Sequence, residues 1–381
     1  MKIGIDIRML GRKRTGDETV FFNLVKNLAL IDDENEYSLF VDRRSPEEMI
    51  AITNSLGIEG KTNFRFVMLR AKNKFSWNFL ILPLYLHKHP VDIYHTQYIV
   101  PFFISRTVKI VTHIHDVSFC AYPEYINWKD RLFLNLLIPI SLRRADIVIA
   151  VSEFTKKEIL KYYDIEEKKV VVVHNAVSDT FTSNTNTDSE HIEKIRLHYD
   201  LPKKFILYVG TLQPRKNIPS LLQAFSVMRS KIPDMKLVVI GNRQGYHYDT
   251  RIDAVIREYA LQEVVVFPGF VNQEDLSIIM RMAEVFVFPS LYEGFGLPVL
   301  EAMSQSVPVL ASDIESLREV CGDAALFIDT TNLAKFSEIL YTISTMMQTR
   351  EALKIAGIKQ MQKFSWRSSV SRLQDIYKTL F

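Results

Sequence analysis

The stretch FPSLYEGFGLPVLEAM, residues 288–303, sets two carboxylates, Glu293 and Glu301, around two glycines and a proline. Pro298 suits the first turn of a helix, where its missing N–H costs nothing. Glu301 then falls about one turn in, Glu293 sits on the preceding loop, and both can face one ligand. Gly294 and Gly296 let the loop turn tightly and bring free backbone N–H groups to a helix N-terminus, whose partial positive charge favours anions. A sugar diphosphate has the matching groups: hydroxyls for the carboxylates, phosphate oxygens for the N–H groups. Taken alone, a capping acid and a solvated acid beside an ordinary turn explain the segment equally well.

A second segment, FILYVGTLQPRKNIPSLLQAF, residues 205–225, shifts that balance. It reads as a strand ending at Gly210, a loop bearing Arg215 and Lys216, and a helix entered near Pro219. Cations placed after a strand and before a helix lie at the sheet edge where open α/β sheets bind ligands. A diphosphate leaving group needs such charge, because negative charge accumulates on it as the glycosidic bond breaks. Two solvated surface cations are the plainer alternative. In VTHIHDVSF, residues 111–119, His113 and His115 alternate on a strand and share a face. They suit a core, a metal ion, or, for His115 with Asp116 at the strand end, a hydrogen bond to a sugar hydroxyl or phosphate. Gly16, in GRKRTGDETVFFNL, would let the backbone approach a phosphate or an acceptor. Arg12, Lys13 and Arg14 beside it suit an anionic acceptor or lipid headgroup, or simply a solvated loop. Gly-x-Gly-x-x-Gly, Walker and Asp-x-Asp patterns are all missing. No cofactor is therefore expected and no metal, so Arg215 and Lys216 must neutralise the diphosphate.

Short β-branched runs alternate with helix-length segments throughout, which is the signature of βαβ units around parallel sheets. KIGIDIR, YSLFVD, FRFVML, DIYHT, VKIVTHIH, DIVIAVS and KVVVVHNAV make one series; FILYVG, KLVVIG, VVVFPG, VFVFPS, VPVLAS and AALFID make another. Helices suit the segments after Thr19, around Phe75 to His87 and after Tyr125. At 381 residues the chain exceeds what one core usually supports. The Ser/Thr/Asn-rich stretch 181–198 is the expected linker between domains over 1–180 and 199–364. Residues 365–381 show helical apolar spacing and complete the first domain.

Hydrophobic residues make up 48% and charged residues 24%, as in ordinary folded proteins, and a formal net charge of +3 does not announce a nucleic-acid partner. Cys120 and Cys321 stand far apart, which excludes a disulfide framework. A reducing compartment is expected, and with no export signal in MKIGIDIRML that compartment is the cytoplasm. Leu132 to Leu142, half a membrane span followed by Arg143 and Arg144, reads as a buried helix.

With these residues in view, the chain resembles the family 4 retaining glycosyltransferases from residue 1 to its terminal helix. The E-x7-E spacing of Glu293 and Glu301 in EGFGLPVLEAM, with GTLQPRKN and FPGFV in order, carries the resemblance. It implies an α/β protein of the GT-B fold: two Rossmann-like domains facing across a cleft, closing over the donor, with a C-terminal helix crossing back to the N-terminal domain. Glu293 would contact donor-sugar hydroxyls, Glu301 the ribose, and Arg215 with Lys216 the diphosphate. Gly210, Gly294, Phe295, Gly296 and Leu297 would line the donor, with Gly269, Phe270 and Val271 along the base and His115 toward the sugar. Retention of anomeric configuration is implied, with a GDP- or UDP-linked hexose as donor and a glycan or lipid-linked sugar as acceptor. Peripheral contact with the inner membrane face is an accompanying expectation. Relatives carry a second glycine where Asp17 follows Gly16, and an arginine where Thr211 follows Gly210. Asp17 and Glu18 would accordingly meet acceptor hydroxyls. A nucleotide-sugar epimerase of the same architecture and a non-catalytic binding subunit are the competing readings.

Overall fold

In a computed structural model, residues 1–12, 16–42, 44–182, 188–245 and 247–381 are described. The β-branched runs form two parallel sheets. The first holds β1 (Lys2–Asp6), β2 (Glu36–Val41), β3 (Phe64–Met68), β4 (Ile93–Gln97), β5 (Lys109–Ile114), β6 (Ile147–Ala150) and β7 (Val170–Val172), in the order 3-2-1-4-5-6-7. The second holds β8 (Phe205–Val209), β9 (Lys236–Ile240), β10 (Val265–Val266), β11 (Val285–Phe288), β12 (Val309–Ser312) and β13 (Ala325–Ile328), in the order 10-9-8-11-12-13. Helices cover both faces of such sheets, so a central strand such as β8 is buried along its whole length and reads as unbroken apolar sequence. In each sheet the order reverses beside the first strand, between β1 and β4 and between β8 and β11. There the crossovers diverge and leave the carboxyl ends of two neighbouring strands open to a ligand.

The chain divides into two compact units: residues 1–120, 127–175 and 365–381 form the first, and 121–126 with 176–364 form the second. The terminal helix Trp366–Lys378, capped by Ser365, belongs to the first unit and buries Trp366, Val370, Leu373, Ile376 and Tyr377. Its polar side chains are tied down as well. Arg372 Nε donates to the Val172 carbonyl at 2.7 Å, Gln374 Nε2 to Asp32 at 2.8 Å, and the Tyr377 hydroxyl lies 2.6 Å from His95 Nδ1.

Two expectations need correction. The polar stretch 181–198 is not simply a linker, because Ser189–His198 is a helix of the second unit, capped by Asp188, and Phe181 is buried there. Residues 183–187 lie outside the described residues. The helix Trp128–Arg144 is not buried either: it covers Leu137, Ile138 and Leu142 but exposes Trp128, Leu132, Leu136 and Ile140. Local apolar content revealed that helix, but what covers each side depends on elements distant in sequence.

Candidate active site

β8 and β11 are hydrogen-bonded neighbours, with Ile206 opposite Val285, so the loops that follow them meet. The Leu291 N–H donates to the Arg215 carbonyl at 2.8 Å, and Arg215 Nη1 donates to the Tyr292 carbonyl at 3.2 Å. These bonds fix Arg215, Lys216 and Glu293 as one cluster. Lys216 Nζ bonds Glu293 Oε1, and Arg215 Nη1 lies 3.5 Å from Glu293 Oε2. Lys216 and Glu293 are both buried, and the ammonium also sits 5.3 Å from the Phe288 ring. Two cations against one carboxylate leave a net positive charge in a place of low water content, where it attracts an anion strongly.

Glu301 lies on the next element, the helix Leu297–Ser304, with Pro298 in its first turn. Its carboxylate makes no printed bond to Arg215, Lys216 or Glu293. Burial pushes this carboxyl up to about 7, and among the described residues no cation or hydrogen bond opposes that shift. The helix starts from Gly296, whose φ of 99° is left-handed and whose added Cβ would come within 2.6 Å of Leu317 Cδ2. Gly294, Phe295 and Leu297 are buried around this start, with Phe295 edge-on to Phe364. Gly210 ends β8 over the Tyr208 hydroxyl, which would stand 2.6 Å from a Cβ there. Gly269 and Phe270 form the loop after β10, Phe270 fully presented to solvent and Val271 turned inward.

His115 and Gly16 belong to the other unit. His115 follows β5, its ring stacked 4.9 Å from that of His113, its Nε2 3.2 Å from Gln97 Oε1 and its Nδ1 4.0 Å from Asp17 Oδ1. Gly16 opens the helix Gly16–Ile31 with no atom within 4 Å of an added Cβ. Arg12 pairs with Asp42; Lys13 and Arg14 lie outside the described residues. The expectation for Glu18 fails: it is buried and accepts the Gly11 N–H at 2.7 Å, so it holds the loop instead of facing an acceptor. Asp17 remains half exposed beside His115.

The Glycosyl transferases group 1 model matches residues 190–360, and the Glycosyltransferase Family 4 model matches residues 15–181. The chain belongs to the family 4 glycosyltransferases. It is 28% identical over 380 residues to O-antigen chain mannosyltransferase B of Escherichia coli, covering 96% of each chain. Sucrose-phosphate synthase from Thermosynechococcus elongatus superposes with a TM-score of 0.77 at 19% identity, over 100% of this chain and 99% of its own. HepE of Anabaena, solved with UDP and glucose, superposes with a TM-score of 0.74 at 17% identity over 100% of both chains. The fold is GT-B.

Several partners in this glycosyltransferase escaped the sequence reading. Gln97, at the end of β4, sits against His115 because β4 and β5 pair with Gln97 opposite His113. Its place at a strand end beside the switch point was the available signal. Tyr208 donates to the Thr211 carbonyl at 2.9 Å and holds the loop ahead of Arg215; burial and then Glu293 push its phenol far above the usual range. Asp6 and Arg8, bonded at 2.9 and 3.0 Å after β1, form a further charged pair, with the guanidinium 4.3 Å from the Trp77 ring.

Proposed function

We propose that this glycosyltransferase moves a hexose, with retention, from a GDP- or UDP-linked donor to a glycan or lipid-linked acceptor in cell-surface polysaccharide synthesis. The observation that carries the reading is the Arg215–Lys216–Glu293 cluster at the carboxyl ends of β8 and β11. Arg215 and Lys216 offer the charge that the departing diphosphate acquires. Glu293, already beside both cations, is available to a donor-sugar hydroxyl, and Glu301 to the ribose. No side chain is assigned as a covalent nucleophile. The C1–O bond to phosphate breaks, the acceptor oxygen bonds C1 on the same face, and the acceptor proton passes to the leaving phosphate oxygen. The E. coli relative favours mannose and the bacterial surface-glycan setting. We take the site of action to be cytoplasmic, in peripheral contact with the membrane.

The test is release of nucleoside diphosphate that requires both donor and acceptor, across a panel of nucleotide sugars. Lys216→Ala and Glu293→Ala are each expected to lower kcat by about 10²–10³-fold while the fold persists. Because the two cations supply the neutralising charge, EDTA is expected to leave the rate unchanged. Conversion of the donor without any acceptor would instead mark an epimerase. Binding without turnover would mark a non-catalytic subunit.

A further inference from the structure

The helix Trp128–Arg144 lies wholly in the first unit and leaves a large apolar surface uncovered. Trp128, Leu132 and Leu136 are 69%, 64% and 62% exposed, and Ile140 continues the series. Residues four apart on a helix are neighbours on one side, so these side chains form a stripe about 18 Å long. The stripe does not end at the helix boundary. Phe133 meets Phe75 edge-on at 5.2 Å, Phe75 stacks with Phe79 at 6.4 Å, Phe79 with Phe102 at 4.4 Å, and Phe102 leads to the exposed Phe103. Three segments distant in sequence thus join in one apolar surface. On the second of them, the π-helical turn Trp77–Ile81 and the helix Leu82–Lys88 add exposed Leu80 and Leu84. Contiguous apolar surface of this kind on a folded unit marks an interaction site.

Charge identifies the occupant. Segments 70–91, 98–109 and 127–144 carry ten Lys and Arg residues and a single acid, Asp130, in a chain whose formal net charge is only +3. The cations sit at the apolar margin: Lys74 Nζ lies 4.3 Å from the Phe133 ring and Lys129 Nζ 5.6 Å from the Trp128 ring. Long basic side chains beside exposed aromatic and aliphatic ones fit an interface with acyl chains below and anionic headgroups above. Among the described residues no helix is long and apolar enough to cross a membrane, so this one lies along the interface. We propose that this face of the first unit docks on an anionic lipid bilayer, with the stripe from Trp128 to Ile140 entering the acyl boundary and the surrounding Lys and Arg residues meeting lipid phosphates. The inference does not depend on the donor-site assignment.

The full chain is mixed with vesicles of phosphatidylcholine alone or of phosphatidylcholine with phosphatidylglycerol, with no nucleotide or acceptor present. It is expected to sediment with the mixed vesicles only, and high salt is expected to release it. Trp77 and Trp366 are buried, so the intrinsic emission that shifts to the blue on binding is that of Trp128. A Leu132→Glu/Leu136→Glu variant and a separate Lys129→Glu/Arg131→Glu variant are each expected to partition at least about tenfold less. Both change exposed side chains, and an unaltered thermal melt verifies their fold. Failure to sediment with either vesicle, equal binding to both compositions, or unchanged binding by the folded variants overturns the proposal. So does a concentration-dependent dimer that the Leu132→Glu/Leu136→Glu variant disperses, which would assign the face to a second copy of the chain.

Discussion

Glu301 combines a buried carboxyl with a pKa near 7 and no printed partner for its charge. Two hydroxyls donating to it would favour the ionised form, so nucleotide binding below pH 7 must expel a proton. Affinity for the nucleotide is expected to fall by up to about tenfold per unit as the pH drops below about 7, and to be flat above. Glu301→Gln is expected to bind weakly at every pH, without that slope, in calorimetric titrations across this range; a retained slope sinks the assignment. The stability effect has the opposite sign. A carboxyl whose folded pKa lies above its unfolded value contributes stability below the unfolded value and loses it as pH rises through the folded one. At pH 8 the ionised, buried Glu301 then costs about 3 kcal/mol, so Glu301→Gln is expected to raise the melting temperature there while weakening the ligand.

At the scale of the element, the start of the helix Leu297–Ser304 depends on Gly296. A left-handed φ and an approach of 2.6 Å to Leu317 are separate obstacles to any side chain. Gly296→Ala is expected to destabilise the second unit by about 1–3 kcal/mol. The Leu317 contact sits on a flexible side-chain end, so the φ constraint supplies the firmer part. Gly16→Ala meets nothing within 4 Å and is expected to be nearly neutral in a denaturant titration. Comparable losses at the two glycines would mean that backbone conformation is not what Gly296 supplies. Glu293 and Arg215 were each legible from the sequence as strand-end residues. Their bonding was not, because it rests on β11 lying beside β8 although two strands, β9 and β10, intervene in the chain.

At the scale of the whole molecule, the chain leaves the second unit at Phe364 and ends in the first. Five apolar side chains of the terminal helix are buried there, and each is worth about 1.5–3 kcal/mol. Their sum rivals the net stability of a domain. Truncation after Phe364 is therefore expected to expose the amides of residues 1–175 to hydrogen exchange while those of 176–364 stay protected. Equal protection of both units in the truncated chain would show the helix to be dispensable. A local effect is expected too: Tyr377→Phe removes the hydroxyl beside His95, whose ring burial and then His115 keep neutral, with a pKa pushed down to about 3. A loss of about 1–3 kcal/mol from the first unit follows.

The sequence by itself determined where the strands lie, because strands of a parallel sheet covered on both faces must be apolar throughout, and that signal is local. It also determined the loop and helix-start chemistry around Glu293, Gly296 and Pro298, since turns and first helical turns are set by residues within a few positions. Only the tertiary structure decided that Lys216 meets Glu293, that residues 121–126 belong with the second unit, and that the apolar helix after Asn127 lies half uncovered. Each of those depends on which distant segment arrives as a neighbour, and residue type states what a side chain can do without stating what will stand beside it.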